Sequence, residues 1–336
     1  MQRIEAHVLT LKKIRVAPLA AESLGVRSMC TYVETPDVRI LLDAGVSLCP
    51  NRFGLPPHPR EFSAIIERRK KIACVAEEAD IVTISHYHYD HHTPSFQDWL
   101  VNWTEADVTA QQIYQDKNVL AKNPLEHINY SQRERGWMFG KTAGKYAKKI
   151  ENADGRVFTF GETRVQFSEP VFHGPENSEM GWVLMSSIAF QGEKFLFAPD
   201  VQGPMSKRPL DIILEQKPQL LMIGGPPLYL YHLKVDENQL QSGLKNLAEI
   251  VKKVPHVILE HHILREENWQ EKATQVLYET YTKGSVIQTA AEFLGTKNAL
   301  LEAQRKRLYT ENPPSIEFQK WMKANEETKK HVKPPI

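Results

Sequence analysis

Short apolar runs separated by turn residues dominate the first part of the chain. Runs at 29–34 and 38–43 flank a Thr-Pro-Asp turn, which predicts two short strands. A Pro-rich loop then leads to residues 60–79, where apolar positions recur at helical spacing and predict an amphipathic helix. The next run, Ile-Val-Thr-Ile at 81–84, predicts a buried strand.

Strand patterns return near residue 156, and helical patterns then alternate with them. A helix is predicted over 236–254, and strands over 156–160, 163–167, 181–190, 193–199, 220–223 and 257–260. Strands first, then alternating helices and strands, twice over, favour an α/β fold with two packed sheets and helices on both outer faces.

Composition narrows the class of protein. Hydrophobic residues make up 41% of the 336 positions, which suits a globular protein with a sizeable core. The net charge of +1 gives no overall attraction to nucleic acid or acidic membranes, and no apolar run reaches the roughly eighteen residues of a membrane helix. The N-terminus lacks a secretory signal pattern, and the three cysteines lie far apart. We therefore expect a cytoplasmic protein without disulfides or thiolate metal sites.

The strongest chemical signal is the sequence SHYHYDHH at 85–92, directly after the predicted strand 81–84. In an extended segment, side chains two positions apart point the same way. His86 and His88 can therefore reach one metal ion, while Asp90 and His91, where the chain turns, can reach a second. Imidazole nitrogens and carboxylate oxygens are ligands that zinc and its first-row neighbours accept.

This H-x-H-x-D-H string after a buried strand resembles the signature of the metallo-β-lactamase superfamily. Members have a four-layer αβ/βα sandwich and take their further ligands from later strand ends in a fixed order. The chain offers His173, then Asp200 after an apolar strand, then the pair His261-His262. Asp43-Ala44-Gly45 is a close variant of an upstream Asp-Gly pair, and the match runs from about residue 28 to 265.

Three stretches look closer to an uncharacterised, largely archaeal branch of predicted metal-dependent hydrolases in that superfamily. They are 24–29 (LGVRSM), 56–61 (PPHPRE) and 261–265 (HHILR). This branch has no agreed activity, so the resemblance implies little about the substrate.

The resemblance implies a binuclear site. His86, His88 and His173 would hold one ion, and Asp90, His91 and one histidine of the 261–262 pair would hold the other. Asp200 would bridge the two ions. Two cations about 3.5–4 Å apart can share a hydroxide that attacks a carbonyl carbon or a phosphorus, with Asp90 and Asp200 as the catalytic carboxylates.

The pair His261-His262 leaves two possibilities, since neighbouring residues of a strand point to opposite faces. We favour His262, because it would point with Ile258 and Glu260 rather than with core-like Val257 and Leu259. His92 has a similar ambiguity: it can lie over the metals and donate to the substrate, or play a supporting or surface role.

The donor set does not name the metal. Oxygen and nitrogen ligands suit zinc, which we take as the default, and also manganese, iron, nickel and cobalt. Ligand histidines usually donate their other N–H to a carboxylate or a carbonyl, and Asp43 or Glu260 can serve as that partner. Glu260 is equally well explained as a strand-end residue.

Two stretches lie outside the sheet pattern. Thr93-Pro94 is typical of a helix start. We predict that residues 95–154 form a mostly helical insertion near the active-site mouth. Residues 266–336 are predicted as a C-terminal helical extension that packs on the body or serves homo-oligomerisation, within a single domain of 1–336.

Two loops are candidates for contact with the substrate. After the strand 220–223, Tyr229, Tyr231 or His232 can face a leaving group, although a rigid connection explains this segment as well. Arg52 and His58 flank the Pro-rich loop and can meet an anionic substrate, although an ordinary surface loop explains them better.

The residues favour a hydrolase acting on an ester, lactone, thioester or phosphodiester of a small molecule. The alternative is an RNA-processing nuclease on the same fold, because the predicted insertion interleaves basic residues with aromatics. Acidic residues in the same segment dilute that charge. A non-catalytic version of the fold and an iron-based redox variant are further alternatives; every expected ligand position holds a competent residue, which weighs against the former.

Overall fold

The computed structural model describes residues 11–230 and 235–336, and two β-sheets form its frame. The first sheet has six strands in chain order. They are β1 (Arg15–Pro18), β2 (Thr31–Glu34), β3 (Arg39–Leu42), β4 (Ile81–Ile84), β5 (Asn118–Ala121) and β6 (Lys149–Asn152). Strands β1 to β3 pair antiparallel, and β3 to β6 pair parallel.

The second half of the chain supplies the other strands. They are β7 (Val157–Phe160), β8 (Thr163–Phe167), β9 (Val171–Phe172), β10 (Trp182–Val183), β11 (Ser186–Phe190), β12 (Glu193–Ala198), β13 (Leu220–Gly224), β14 (His256–Glu260) and β15 (Val286–Gln288). The second sheet has the order β15-β14-β13-β12-β11-β8-β7, and β9 pairs with β10 separately. Strands β12 to β15 are parallel, so their carboxyl ends meet at one edge.

Alternation along the strands builds four layers. In β3, Ile40 belongs to the core that the two sheets share, while Leu41 packs on the outer side among helical residues. In β12, Phe195 faces the shared core and Leu196 the outer one. Successive side chains of a strand point to opposite faces, so each sheet packs against the other sheet on its inner face and against helices on its outer face. The predicted αβ/βα sandwich is confirmed.

The outer helices cover both sheets. They are α1 (Pro59–Glu78), α2 (Ala106–Tyr114), α3 (Tyr130–Lys141), α4 (Lys207–Gln216), α5 (Glu237–Val251), α6 (Trp269–Lys272), α7 (Thr274–Lys283), α8 (Ala290–Phe293), α9 (Arg305–Glu311), α10 (Ile316–Met322) and α11 (Glu326–His331). Helix α1 begins with a capping box, in which the His58 ring accepts from the Arg60 backbone and Glu61 accepts from the His58 backbone. In the described part of the chain, no helix is both long and apolar enough to cross a membrane.

The segment 95–154 differs in part from the predicted helical insertion. It contains α2 and α3, but also β5 and β6, which continue the first sheet. The helix predicted at Thr93-Pro94 is wrong, since the next helix begins at Ala106. The Thr93 hydroxyl instead donates to the carbonyl of Ala44 and accepts from Arg69, so it fixes a loop rather than a helix end.

The C-terminal segment 266–336 packs on the body. Strand β15 joins the second sheet, and α10 lies against α1. The rings of Phe318 and Trp321 lie 6.0 and 5.7 Å from that of Phe62. Arg305, which is fully buried, donates twice to the carboxylate of Glu61 over 2.8 and 2.7 Å.

Candidate metal centre

The candidate ligands follow the carboxyl ends of strands from both sheets. Residues 85–92 follow β4, and Asp200 and His261 follow the parallel strands β12 and β14. His173 follows the short strand β9. Carboxyl ends of parallel strands form the usual site-building edge of an open α/β sheet, and here one edge of each sheet contributes.

Asp200 lies at the middle of the cluster. Its Oδ2 atom has three imidazole Nε2 atoms around it: those of His86 at 3.1 Å, His91 at 3.1 Å and His173 at 3.0 Å. Its Oδ1 atom is 3.0 Å from the Nε2 atoms of both His261 and His262. These side chains are at most 2% exposed, apart from His262 at 10%.

Two sets of ligand atoms meet around this carboxylate. One set is His86, His88, His173 and Asp200, and another is Asp90, His91 and His261; within each set all ligand atoms lie within 4.8 Å of one another. Asp200 also forms such a set with His261 and His262. The structure therefore brings together every residue predicted as a ligand.

The contacts around Asp200 are close but are not hydrogen bonds at every atom. Among the described residues, Oδ1 of Asp200 and Nε2 of His173 are buried without a hydrogen-bond partner. Buried polar atoms without partners are costly and call for an explanation. Converging imidazole nitrogens and a carboxylate, without thiolates, fit a divalent first-row cation.

The electrostatics of the cluster also call for positive charge. Burial disfavours a charged imidazole at His91 and His261, but nearby carboxylates, chiefly Asp200, outweigh it. The pKa of His91 therefore lies well above its ordinary value, and that of His261 rises to about 9. Burial and neighbouring positive groups lower the pKa of His86 and His262 to about 3, so these rings are neutral. Protons on His91 and His261, or a cation in their place, balance the carboxylates.

Asp43 orients His91. It is one of the two carboxylates predicted to accept the second N–H of a ligand histidine. Its Oδ2 atom accepts from Nδ1 of His91 at 2.8 Å, and its Oδ1 atom accepts from the Ser85 backbone N–H at 2.8 Å. Gly45 makes the contact possible: a Cβ atom there would lie 2.2 Å from the backbone nitrogen of His92. Only glycine permits this approach of the early loop to the histidine-rich loop.

Glu22 orients His261, and the sequence did not indicate it. Its Oε2 atom accepts from Nδ1 of His261 at 2.9 Å, and its Oε1 atom accepts from Nε of Arg265 at 2.8 Å. Glu260, the other predicted partner, instead accepts from the backbone of Ala290 and from the Ser23 hydroxyl, so it fixes the strand end.

The premise behind the choice of His262 is wrong. Glu260 is still extended, but the chain turns at His261, which has a φ of 65°, and His261 to Arg265 form a 3-10 helix. Because the alternation of a strand does not apply there, both rings reach Asp200. Only His261 also groups with Asp90 and His91.

His92 does not lie over the cluster. Its Nδ1 atom is 3.0 Å from the carbonyl oxygen of His88, and its ring packs 5.3 to 5.8 Å from those of Tyr87, Tyr89 and Phe139. The residue is 2% exposed, so its role is to support the 85–92 loop on the side away from the cluster.

Strained backbone marks the same place. Several non-glycine residues with positive φ lie in or beside the cluster: Asp43 (47°), Asp200 (49°), Gln202 (55°) and His261 (65°). Such conformations cost about 1–3 kcal/mol each and persist where the surroundings hold them, often at functional sites.

The two loops predicted to contact the substrate, the Pro-rich loop and the one after β13, differ in their relation to the cluster. The Tyr229 hydroxyl lies 3.3 Å from Nδ1 of His262, and the guanidinium of Arg52 lies 4.5 Å from the Tyr229 ring centroid. His58 caps α1 and contacts the carbonyl oxygen of Asn312, so it faces away. Tyr231 and His232 lie outside the described residues.

Fold and site together define a metallo-β-lactamase-fold protein with a His/Asp cluster that could hold a metal ion. The chain belongs to the UPF0282 family. It is 43% identical over 295 residues to UPF0282 protein MK0213 of Methanopyrus kandleri, covering 88% of this chain and 99% of that protein. It is 42% identical over 296 residues to UPF0282 protein MJ1629 of Methanocaldococcus jannaschii, covering 88% and 96%. The predicted relation to a largely archaeal branch is thereby confirmed. No family model matches the chain.

Solved structures are similar at lower sequence identity. The metallo-β-lactamase fold protein YhfI from Bacillus subtilis has 13% identity and a TM-score of 0.47, with 83% of this chain and 97% of that chain covered. Zn(2+)-bound PqqB from Methylobacterium extorquens has 10% identity and a TM-score of 0.44, with 82% and 97% covered.

Proposed function

We propose that the chain is a metal-dependent hydrolase that holds two divalent ions around Asp200 and cleaves an ester, lactone, thioester or phosphodiester of a small molecule. The observation that carries the proposal is the approach of five imidazole nitrogens to one buried carboxylate, whose Oδ1 atom lacks a hydrogen-bond partner in the described chain. Zinc is the default ion for such a set.

The two sets of ligand atoms support a binuclear arrangement. His86, His88 and His173 would hold one ion, and Asp90, His91 and His261 the other. Asp200 would serve both, because its two oxygens face different imidazoles.

Hydrogen-bond partners favour His261 over His262 as the ligand. Nδ1 of His261 faces the Glu22 carboxylate, which can only accept, so the proton sits on Nδ1 and the Nε2 lone pair is free for a metal. Nδ1 of His262 lies 3.1 Å from Nη1 of Arg265, which can only donate. Nδ1 of His262 must therefore accept, and its proton sits on Nε2. His262 would then offer an N–H to the substrate instead of a lone pair to a metal.

The ions would lower the pKa of water toward neutrality and stabilise negative charge on the leaving oxygen. The chain's residues would orient the reactants. Burial favours a neutral Asp90, but His91 and His261 outweigh burial and lower its pKa, so this carboxylate stays ionised and its oxygen can accept a hydrogen bond from the attacking water. His262, the most exposed imidazole around Asp200, would donate from Nε2 to the substrate.

Metal content tests the proposal first. Protein purified without chelator should contain close to two equivalents of zinc, manganese or iron by elemental analysis, and His86→Ala should lower that content. His331→Ala is the matched control, because this exposed histidine pairs with Glu327 on the surface of α11. Absence of metal after reconstitution contradicts the binuclear site. Metal-loaded protein that cleaves nothing in a panel of the four bond types contradicts the hydrolase.

A nuclease remains the second candidate, because α3 carries exposed aromatic and basic side chains on one face. Tyr130 is 83% and Trp137 58% exposed, and Arg133 and Lys141 lie at matching helical spacing. Exposed rings beside cations can stack bases and hold phosphates. If single-stranded RNA is the substrate, Trp137→Ala should slow its cleavage while leaving cleavage of a small ester unchanged.

A further inference from the structure

Arg52 lies beside the candidate metal centre. Its side chain is only 17% exposed, and its guanidinium carbon lies 4.5 Å from the ring centroid of Tyr229. Its Nη2 atom donates to the backbone carbonyl of Arg265 at 3.2 Å. These contacts fix the guanidinium against the last turn of the 261–265 helix, instead of leaving it in a solvated loop.

The carboxylates near Arg52 are already engaged by other arginines. Glu302 accepts two hydrogen bonds of 2.6 Å from Arg27, and Glu22 accepts from Arg265. Of these three guanidinium groups, Arg52 therefore has the longest contact with a carboxylate, at 3.9 Å against 2.6 Å for Arg27 and 2.7 Å for Arg265. Its Nε atom is 3.9 Å from Glu302, beyond hydrogen-bond reach.

The Nε–H of Arg52 is buried and has no hydrogen-bond partner within residues 11–230 and 235–336. A buried, charged donor without an acceptor is unfavourable, and an anion supplied by a ligand would satisfy it. Lys306 adds a second cation nearby, since its Nζ lies 4.9 Å from the centroid of the Phe53 ring, which itself lies 4.5 Å from the Arg52 guanidinium.

Tyr229 connects this position to the cluster. Its ring contacts Arg52 and lies nearly parallel to the His262 ring at an interplanar angle of 11°. Nε2 of His262 is 3.0 Å from Asp200. A ligand group at Arg52 would therefore lie one tyrosine ring away from the bond at the metal centre.

We propose that Arg52 binds an anionic group of the substrate, a carboxylate or a phosphate, at a subsite separated from the candidate metal centre by Tyr229. The position of this subsite relative to the cleaved bond rests on the proposed function, but anion binding at Arg52 does not. Uncharged esters and lactones would then be poor substrates compared with anionic ones of the same bond type.

The test is calorimetric titration of the metal-loaded protein with methyl phosphate and, separately, with acetate. Arg52→Met should weaken binding of at least one probe roughly tenfold or more, because it removes charge-assisted hydrogen bonds. Arg52→Lys, which keeps the charge without the fork, should lose less. Arg164→Met is the matched control and should bind like the wild type, since Arg164 is exposed and donates to the Gln166 side chain on the surface of β8.

The probe whose affinity falls more in Arg52→Met identifies the kind of anion that the subsite binds. Equal affinity of wild type, Arg52→Met and Arg52→Lys for both probes overturns the proposal, as does an equal loss in Arg164→Met. Metal content and the thermal midpoint are measured on every variant, and if Arg52→Met fails to fold, Arg52→Lys decides. The titrations are then repeated in a His86→Ala background, where the metal is missing and turnover is absent. The loss of anion affinity caused by the Arg52 substitutions should persist there, so this result does not depend on the proposed function.

Discussion

Nδ1 of His261 lies 2.9 Å from Oε2 of Glu22, so a residue near the start of the chain orients a candidate ligand 239 positions later. The same carboxylate accepts from Nε of Arg265 at 2.8 Å. Glu22 thus fixes both the tautomer of His261 and the guanidinium that faces His262. Such partners orient a ligand and raise its basicity.

Glu22→Gln should lower metal affinity about 10- to 100-fold, because an amide no longer holds the Nδ1 proton of His261 as a carboxylate does. Titration of the apo protein with zinc against a competing chelator measures the change. Glu61→Gln is the control, since Glu61 also loses a buried ion pair with arginine but contacts no candidate ligand. Equal losses in both variants would mean that Glu22 acts only through stability.

His261→Ala should lose one ion, while His262→Ala should keep both and lose turnover. The reason is the placement of protons, since Nδ1 of His261 faces a carboxylate and Nδ1 of His262 faces a guanidinium. Elemental analysis of the two variants decides, with long-range ¹⁵N spectra of the imidazoles as an independent reading of the tautomers. The opposite pattern would restore the choice of His262 made from strand alternation.

Asp200→Asn should remove most of the bound metal and abolish turnover. The amide keeps the size of the side chain but replaces a negative oxygen at the point where five imidazoles meet. Metal content and activity are measured together, with Asp211→Asn as the control because that carboxylate pairs with Lys207 on the surface of α4. Full activity in Asp200→Asn would rule out a bridging role.

The sequence predicted those parts of the fold whose signals are local. The strand 81–84 and the histidine-rich loop after it could be placed because the apolar run and the ligand spacing lie within twelve residues. Strands β5 and β6 could not. The apolar run of β5 is only three residues long and no ligand motif follows it, and β6 is an edge strand with mostly exposed side chains.

The site was predictable as far as its residues carry a spacing signal. Glu22 carries no spacing signal, because its role depends on its contact with His261, 239 positions later in the chain. Strand alternation could not distinguish His261 from His262, because a single residue with positive φ ends the strand and no alternation pattern reveals such a turn. The arginine at 265 follows the histidine pair by one helical turn, which is the only local hint of its contact with both rings.

Glu302 should contribute to stability in a pH-dependent way. Burial opposes its ionisation, but Arg27 together with Arg265 and Arg305 outweighs burial and lowers the pKa of Glu302 from 4.5 to about 2. A lowered pKa in the folded state means that the contribution, about 3 kcal/mol at most, is present above pH 4.5 and is lost as the pH falls toward 2. The difference in free energy of unfolding between wild type and Glu302→Gln should therefore shrink from pH 7 to pH 3. Denaturant unfolding at several pH values measures it, with exposed Glu317→Gln as the control. A constant difference would contradict the shift.

Phe318→Ala should destabilise the protein by about 3–5 kcal/mol, because this fully buried ring fills the space between α10 and α1 and leaves a cavity when removed. Ile316→Ala, in the same helix but 67% exposed, should change the free energy of unfolding by less than about 0.5 kcal/mol. Urea denaturation of the two variants makes the comparison. If α10 were only loosely attached, both substitutions would have the same small effect. A large effect confined to Phe318 would instead mean that the C-terminal segment belongs to the cooperative core. Removing this segment should then also disturb α1 and, through the 51–58 loop that precedes α1, the position of Arg52.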